Sequence, residues 1–404
     1  MGKKIIVITD MDTVGSGYKY ICTNLLTKLA EMGHDIKVAG LMYRGEEHHY
    51  PFSVIPSQSL QEAVGISTNF MHMINADGTH IWLPDVILVA LDLPAQGAIY
   101  NHFAPYKKKY VAITPLENGP LCMTWGVPLF NMDKVFFISD LGRREAEKIG
   151  LTNADHIQVG VDSVLWHPAT PEEKSQMKKG LGIPEDAFVV LTVADNQERK
   201  NLWAGLAAIY LLTHDITQKE FRDIVSGKSD KKYTDFPRND MKVRYMLVTR
   251  VENPYGYKLK DLITMLGIKD ECILFERGMP SKDLWGLYAA SDVYLQPSKA
   301  EGLGLPLLDA MSSGIPVVAT DTGAMTELLS PDRGHLVPPE YTFTDVWGNS
   351  KRDMISIPET YKALRCVAET NCVHVEKALE YARSRTWDVA AKHFDDVIKE
   401  MFNE

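Results

Sequence analysis

Cysteine is scarce in this chain. Only five occur in 404 residues, and they are scattered at Cys22, Cys122, Cys272, Cys366 and Cys372. They are odd in number and none has CxxC spacing, so the sequence shows neither a zinc motif nor a disulfide framework. We interpret them as ordinary free thiols in a reducing compartment and expect a cytoplasmic location.

Long hydrophobic runs are also lacking, since no apolar run approaches the ~20 residues that a membrane-spanning helix needs. The apolar run at residues 5–8 is ended early by Asp10 and Asp12 and is followed by no cleavage site of small residues. We therefore interpret it as a buried strand rather than a signal peptide.

Basic residues are outnumbered, with 43 lysines and arginines against 53 aspartates and glutamates. The formal net charge of -10 argues against broad electrostatic capture of nucleic acid or anionic lipid. Lysine runs at 107–109 and around 228–232 are interpreted as solvated loops. A hydrophobic content of 45% in 404 residues is that of a globular protein with two or three domains.

The most informative stretch is residues 298–311, which follows the strand-like run at 293–295. A glycine-rich loop there leads into a predicted helix at 306–313. Amides at a helix N-terminus attract anions, and Gly302 and Gly304 allow a ligand to approach the backbone. Glu301 and Asp309 flank this turn and carry the acceptor groups that would hold hydroxyls. The pattern predicts a site for an anion that bears hydroxyl groups.

The sequence EGLGLPLLDAMSSGIPVVAT, residues 301–320, resembles the donor-site signature of retaining glycosyltransferases of family 4. The resemblance implies the GT-B architecture, an α/β fold with two Rossmann-like, doubly wound parallel-sheet domains facing a cleft. It places Glu301 at the donor sugar. The second acid of the signature, which binds the donor ribose, is Asp309 here instead of glutamate. The amides that meet the diphosphate are those of Gly302, Leu303, Gly304 and Leu305.

The resemblance spans nearly the whole chain and gives the domain limits. We expect an acceptor-side domain at 1–168 and a nucleotide-sugar-binding domain at 169–385. A C-terminal helix at 386–404 is expected to cross back to the first domain. Residues 170–186 would form the bridge between domains.

In the first domain the resemblance selects the glycine-rich loop after the first strand, in which Gly15, Ser16 and Gly17 would touch the donor phosphates or the acceptor. Asp92 ends another predicted strand, an end that faces the ligand crevice in open α/β sheets. We take Asp92 as a catalytic or acceptor-binding candidate. Glu117 is a second acceptor-binding candidate, with a plain surface role as its alternative.

The acidic pair that follows the first strand, Asp10 and Asp12, has the DxD form of a metal motif. Its position at a strand end favours capping or a place facing the cleft. We expect no metal at the site.

In the second domain the family carries an arginine and, five residues later, a lysine on the loop after the first strand, and both grip the donor diphosphate. Lys200 occupies the lysine position, whereas Asp195 stands at the arginine position. An acid beside a diphosphate is costly unless it faces away or pairs with a cation. Arg199 is the candidate replacement, and Asn196 shares the same loop.

Two further features of the second domain are predicted. Arg277 and Gly278 match the loop that contacts the nucleotide base, mostly through backbone. Residues 214–242 exceed the usual loop length, so we expect an insertion with its own helix or a surface for a partner. Residues 341–358 are predicted to be a polar loop.

The resemblance implies a retaining glycosyltransferase that uses a nucleotide diphosphate sugar, UDP- or GDP-linked, without a tightly bound cofactor. Glu301, Lys200 and Asp92 are the catalytic candidates. The acceptor hydroxyl would belong to a glycan, a lipid, a small metabolite or a hydroxylated base in DNA. Two alternatives stay open, a nucleotide-sugar epimerase or hydrolase, and a non-catalytic sugar-nucleotide binding protein.

Overall fold

The computed structural model describes residues 2–370 and 375–404. The chain divides into two compact units. Unit 1 comprises Met1–Gly160, Asp345–Ser350 and Arg385–Glu404, and unit 2 comprises Val161–Thr344 and Lys351–Ser384. The limits predicted from the sequence lie at 168 and 385.

Unit 1 is built on a parallel sheet of seven strands in the order β3-β2-β1-β4-β5-β6-β7. The short β-branched runs form its buried strands, as expected for a parallel sheet covered on both faces. For example, Ile5, Ile6, Val7 and Ile8 are all 0% exposed. The strands are β1 (Lys4–Asp10), β2 (Asp35–Leu41), β3 (Ser53–Ser57), β4 (Val86–Ala90), β5 (Lys109–Thr114), β6 (Lys134–Phe137) and β7 (Ala154–His156).

Five helices of unit 1 lie between these strands. The first begins where the Ser16 side chain caps it by accepting a bond from the N–H of Tyr18. It buries the apolar stripe that includes Leu25 and Leu29, as the helical spacing predicts. The helices are α1 (Gly17–Glu31), α2 (Leu60–His72), α3 (Leu93–Phe103), α4 (Met123–Gly126) and α5 (Asp140–Lys148).

Unit 2 repeats this architecture with a parallel sheet of six strands, ordered β10-β9-β8-β11-β12-β13. Two parallel-sheet α/β units confirm the predicted fold class. The strands are β8 (Phe188–Val193), β9 (Val243–Thr249), β10 (Cys272–Glu276), β11 (Val293–Gln296), β12 (Val317–Thr320) and β13 (His335–Val337).

The helices of unit 2 include one that is buried on all sides, Leu202–Thr213, in which only Trp203 is partly exposed. The others begin with Pro171–Gly180, inside the segment predicted to be a bridge, where Thr170 and Glu173 form a capping box. In chain order the helices are α6 (Pro171–Gly180), α7 (Leu202–Thr213), α8 (Gln218–Val225), α9 (Leu259–Leu266), α10 (Ser281–Ala290), α11 (Leu305–Ser312), α12 (Met325–Leu328), α13 (Ile357–Thr370) and α14 (Val375–Ser384).

The last helix, α15 (Trp387–Met401), belongs to unit 1 and packs against α1. Within residues 2–370 and 375–404, none of the helices has both the length and the apolar character needed to cross a membrane.

Two expectations are corrected. The predicted polar loop at 341–358 is wrong, because β14 (Pro339–Thr344) and β15 (Lys351–Ile355) form an antiparallel pair there. Most of β14 is exposed, so the burial signal that marks core strands is missing. The free-thiol interpretation is wrong for Cys366, which is disulfide-bonded. Cys22, Cys122 and Cys272 are free, and Cys372 lies outside the residues that the structure describes.

Candidate functional site

The candidate site lies at the carboxyl-terminal edge of the sheet in unit 2. From β8 the chain adds β9 and β10 on one side, and then β11, β12 and β13 on the other. The loops after β8 and β11 therefore diverge at a topological switch point, where open α/β sheets bind ligands. These loops, residues 195–201 and 298–304, are the two segments selected from the sequence.

Glu301 connects the two loops. Its Oε1 accepts a bond from Nζ of Lys200 at 2.5 Å, and its Oε2 lies 3.2 Å from Nη1 of Arg199. The Gln296 amide and the Ser298 hydroxyl each donate to Oε1 at 2.6 Å. The residue predicted at the donor sugar and the two predicted phosphate ligands thus form one cluster.

The Glu301 carboxylate is an anion at neutral pH. Burial acts to raise its pKa, but the charges of Lys200 and Arg199, with bonds from Lys200 and Ser298, lower the pKa to about 2. Such a carboxylate accepts hydrogen bonds from hydroxyl groups and has no proton to donate near pH 7. The ionised Glu301 carboxylate is therefore suited to orienting the hydroxyl groups of a sugar and not to acting as a general acid.

The loop beyond Glu301 ends at the N-terminus of α11. Gly304 caps this helix with φ +98, a left-handed conformation that glycine adopts readily. Pro306 has no N–H, and the N–H groups of Leu307 and Leu308 donate to the carbonyl of Gly304 at 3.0 and 3.2 Å. The loop amides and the N–H of Leu305 therefore lie at the positive end of the helix dipole. We call Arg199, Lys200, Glu301, residues 302–304 and this helix start the charged cradle. It combines fixed cations with amides in the way that phosphate sites do.

Asp309 lies one turn into α11 and is 9% exposed. Burial raises the pKa of this carboxyl well above its ordinary value, and the charge of Asp162 raises it further. Asp309 therefore retains its proton to a higher pH than an ordinary aspartate.

Asp195, the acid at the predicted arginine position, is paired with two cations. Its Oδ2 lies 3.0 Å from Nη2 of Arg250 and 3.0 Å from Nη1 of Arg277, and Gln197 donates to the same oxygen at 3.3 Å. Pairing with a cation is one of the two conditions under which an acid is tolerated at this position. The sequence pointed to Arg277 but not to Arg250. The available signal was the place of Arg250 directly after β9, a neighbour of β8.

Asn196, predicted as a donor ligand, has a fully buried side chain that holds the backbone of Tyr257. Its Nδ2 donates to the carbonyl of Tyr257 at 2.9 Å, and the N–H of Tyr257 donates to Oδ1 at 2.8 Å. The Asn253 amide donates to the carbonyl of Asn196 at 2.6 Å. These bonds fix the loop that carries Lys200.

The loop that carries Glu301 is fixed in a similar way. The N–H of Lys299 donates to the carbonyl of Arg199 at 2.8 Å, which links the two loops through backbone. The N–H of Asp353, on β15, donates to the carbonyl of Lys299 at 2.9 Å. The strand pair missed by the sequence therefore supports the charged cradle.

Unit 1 has its own acidic cluster at the carboxyl edge of its sheet, where β1 and β4 flank a switch point. The Tyr18 hydroxyl donates to Oδ1 of Asp92 at 2.7 Å, and the Ser16 hydroxyl donates to Oδ2 of Asp10 at 2.9 Å. Asp12 accepts backbone N–H bonds from the loop that follows it, as the capping interpretation expects. Burial raises the pKa of Asp10, and the charges of Asp12 and Asp92 add to the rise.

The remaining predicted residues lie in loops or at element ends. Gly15 and Gly278 have φ of +82 and +89, and Gly17 begins α1. Glu117 follows β5 and is partly exposed. Within residues 2–370 and 375–404, no group of three or more His, Cys, Asp or Glu side chains is arranged to hold a metal ion. The ligand roles of these residues stay predictions.

The fold of this chain, with its two parallel-sheet α/β units, is similar to the GT-B fold of solved glycosyltransferases. Sucrose-phosphate synthase from Thermosynechococcus elongatus superposes with a TM-score of 0.73 at 16% identity, over 99% of both chains. Anabaena Alr3699/HepE, in complex with UDP-glucose, gives 0.72 at 16% identity, over 98% of this chain and 100% of its own. At such identities the likeness establishes the fold.

Residues 173–356 match the family described as glycosyl transferases group 1, a stretch that contains the whole charged cradle. The D-inositol 3-phosphate glycosyltransferase of Acidothermus cellulolyticus is 30% identical over 178 residues, which are 43% of this chain and 34% of that protein. Sulfoquinovosyl transferase SQD2 of Arabidopsis thaliana is 22% identical over 346 residues, which are 79% of this chain and 59% of that protein. The chain thus spans less than two thirds of the length of these curated relatives.

Proposed function

We propose that this protein is a retaining glycosyltransferase that moves a sugar from a nucleotide diphosphate sugar, UDP- or GDP-linked, to an acceptor hydroxyl. The observation that carries the proposal is the Glu301 carboxylate held by Lys200 and Arg199 beside the N-terminus of α11. The names of the similar proteins support it. They include several sugar transferases, and one neighbouring structure contains UDP-glucose.

The donor would lie along the charged cradle. Lys200, Arg199 and the amides of residues 302–305 supply charge-assisted bonds for the diphosphate. Glu301 accepts bonds from the hydroxyls of the sugar, and Asp309 from those of the ribose. The loop at Arg277 and Gly278 would contact the base.

The transfer is a substitution at the anomeric carbon. The bond from this carbon to the phosphate oxygen breaks, and a bond to the acceptor oxygen forms on the same face of the sugar. The proton of the acceptor passes to the departing phosphate oxygen. Lys200 and the helix amides stabilise the negative charge that develops there, and such preorganised electrostatics is often the largest catalytic term. They supply the kind of positive potential that a bound cation would otherwise provide.

The acceptor is proposed to contact unit 1 through Asp92 and Glu117, and Gly15, Ser16 and Gly17 lie on the neighbouring loop. The acceptor class, whether glycan, lipid, small metabolite or modified DNA, stays open. A cytoplasmic location stays a prediction from the sequence.

A panel of nucleotide sugars in a thermal-shift assay tests the proposal. A donor at 100 times its dissociation constant should stabilise the protein by about 2.7 kcal/mol. The donor that stabilises is then incubated with candidate acceptors, and NMR determines the anomeric configuration of the product. Failure of every nucleotide sugar to stabilise the protein contradicts the proposal. A product of inverted configuration contradicts retention alone, and isomerisation of the donor without acceptor favours an epimerase.

Two variants test the binding of the donor and of the acceptor separately. Asp92→Asn should leave nucleotide affinity unchanged and raise the KM for the acceptor, whereas Glu301→Gln should weaken donor binding. Unchanged acceptor kinetics in Asp92→Asn would remove Asp92 from the mechanism.

A further inference from the structure

The carboxyl edge of the sheet in unit 2 carries a row of charged residues that extends beyond the charged cradle. Arg277 follows β10, Arg250 follows β9, Asp195 follows β8, and Glu301 follows β11. These four strands are adjacent in the sheet. The carboxyl ends of these parallel strands meet at one edge of the sheet, so the row extends the charged cradle along the ligand-binding edge.

The two carboxylates in this row each join two cations. Glu301 joins Lys200 and Arg199, whereas Asp195 joins Arg250 and Arg277. Four cations held in fixed positions at one edge of a chain with a formal net charge of -10 suit a ligand that carries two phosphoryl groups.

The geometry of the Asp195 group leaves donors available. The Asp195 side chain is 13% exposed and that of Arg277 is 20% exposed, but the side chain of Arg250 is 46% exposed. A guanidinium has five N–H donors in a fixed planar fork. A bond to one carboxylate oxygen uses only part of them, so Arg250 keeps donors that face solvent at the ligand-binding edge.

We propose that Arg250 is a further phosphate-binding residue of this site. Together with Arg277 it takes one phosphoryl group of the nucleotide diphosphate, while Lys200 and Arg199 take the other. Asp195 is a positioning residue, because one carboxylate that binds both guanidinium groups holds them together against their mutual repulsion. The inference rests on the proposed function, since that function supplies the diphosphate.

Isothermal titration of the full chain tests the inference, with inorganic pyrophosphate, UDP and GDP as ligands. Arg250→Ala should weaken pyrophosphate binding and binding of the preferred nucleotide about tenfold or more, the range for bonds to charged groups. Arg250→Lys should recover part of the loss, because it keeps the charge and loses the fork. The donor KM should rise in Arg250→Ala. The control is Arg365→Ala, which removes an exposed arginine bound to Glu369 on α13 and should leave affinity unchanged.

Asp195→Asn tests whether Asp195 positions the two arginines or only repels the phosphate. Removal of a negative charge near a phosphate should tighten binding if Asp195 acts only by repulsion, and should weaken binding several-fold if it aligns the arginines. Thermal unfolding of each variant reports whether the fold is intact.

Unchanged pyrophosphate affinity in Arg250→Ala overturns the inference, as does tighter binding in Asp195→Asn. Weaker binding of uridine or guanosine, which lack phosphate, would assign Arg250 to the nucleoside and also overturn it. A wild-type protein that binds no nucleoside diphosphate would instead contradict the proposed function.

Discussion

Nζ of Lys200 donates to Oε1 of Glu301 at 2.5 Å, although 101 residues separate the two in the sequence. The bond joins the loop after β8 to the loop after β11 across the switch point of the sheet. Before a ligand binds, the carboxylate holds the ammonium in place and offsets its charge. A diphosphate that binds here therefore meets a lysine whose position is already set, and less conformational freedom is lost on binding.

Lys200→Ala should weaken nucleoside diphosphate binding about tenfold or more, since it removes a charge-assisted bond. It should also lower kcat if the lysine stabilises the departing phosphate. Titration calorimetry and steady-state kinetics measure the two effects. The control is Lys362→Ala on α13, an exposed lysine paired with Glu359, which should change neither. Full activity in Lys200→Ala would exclude it as a phosphate ligand.

Glu301→Gln should change how stability depends on pH. The folded-state pKa of Glu301 is lowered from 4.5 to about 2, so its stabilising contribution is present above about pH 4.5 and is lost as the pH falls through 2. At pH 7 the substitution removes the anion that Lys200 and Arg199 share. We expect a loss of about 2–3 kcal/mol, somewhat less than for a fully buried pair because Arg199 is partly exposed.

Urea unfolding at several pH values between 7 and 2 measures this effect. The gap in unfolding free energy between wild type and Glu301→Gln should narrow as the pH falls. Asp332→Asn is the control, since Asp332 also has a pKa lowered to about 2 but is a surface residue paired with Lys377, and its removal should change stability much less. A gap that is constant with pH would mean that the ion pair is not the cause.

Much of this site could be predicted from the sequence because its main residues lie next to strong local signals. Buried β-branched runs mark the strands, and glycines with an acid mark the loop after β11. The carboxyl ends of parallel strands meet at one edge, so the sequence places Lys200 and Glu301 at one site.

The rest depends on contacts between distant segments. Arg250 lies 55 residues from Asp195, and no local pattern states that two arginines share that carboxylate. Side-chain bonding of Asn196 to the backbone of Tyr257 is equally non-local. No burial pattern marks the strand pair β14–β15 in the sequence. Tyr341 and Phe343 on β14 are exposed, and the buried residues of β15 include the charged Arg352 and Asp353.

Gly304→Ala should weaken nucleotide binding through the backbone rather than through a clash. A methyl group at this position would have ordinary contacts, with the nearest atoms of Met325 and Leu307 at 3.6 and 3.7 Å. The φ of +98 is unfavourable for alanine, at a cost of about 1–2 kcal/mol. Relief of that strain would turn the N–H of Leu305 and the loop amides before it away from the proposed phosphate position.

Urea unfolding and nucleotide titration of Gly304→Ala measure the two effects together. Gly180→Ala, on α6, is the matched control. It adds a methyl group into open space at a position without positive φ, so stability should stay within about 0.5 kcal/mol. Equal nucleotide affinity in Gly304→Ala and wild type would mean that the helix start does not bind the ligand.

Asp309→Asn should have opposite effects on stability and on binding. The folded-state pKa of Asp309 is raised above 3.8 by burial and by Asp162, so the folded protein loses stability as the pH rises from that value towards the folded pKa. Asparagine has no charge to bury. The variant should therefore be more stable than wild type at pH 8, by about 1 kcal/mol, and the difference should vanish near pH 4. If Asp309 accepts bonds from ribose hydroxyls, nucleotide affinity should fall about tenfold.

Asp162→Asn distinguishes these two effects. It removes the neighbouring charge and keeps an oxygen that can accept the N–H bonds of Val164 and Leu165, so it should raise stability slightly at pH 8 and leave nucleotide affinity unchanged. Thermal unfolding at pH 4 and 8, with titration of the preferred nucleotide, measures both variants. A less stable Asp309→Asn at pH 8 would mean that the carboxylate is compensated in the folded state. Unchanged nucleotide affinity in Asp309→Asn would instead mean that Asp309 does not bind the ribose, because loss of a carboxylate that accepts ribose hydroxyl bonds should weaken binding.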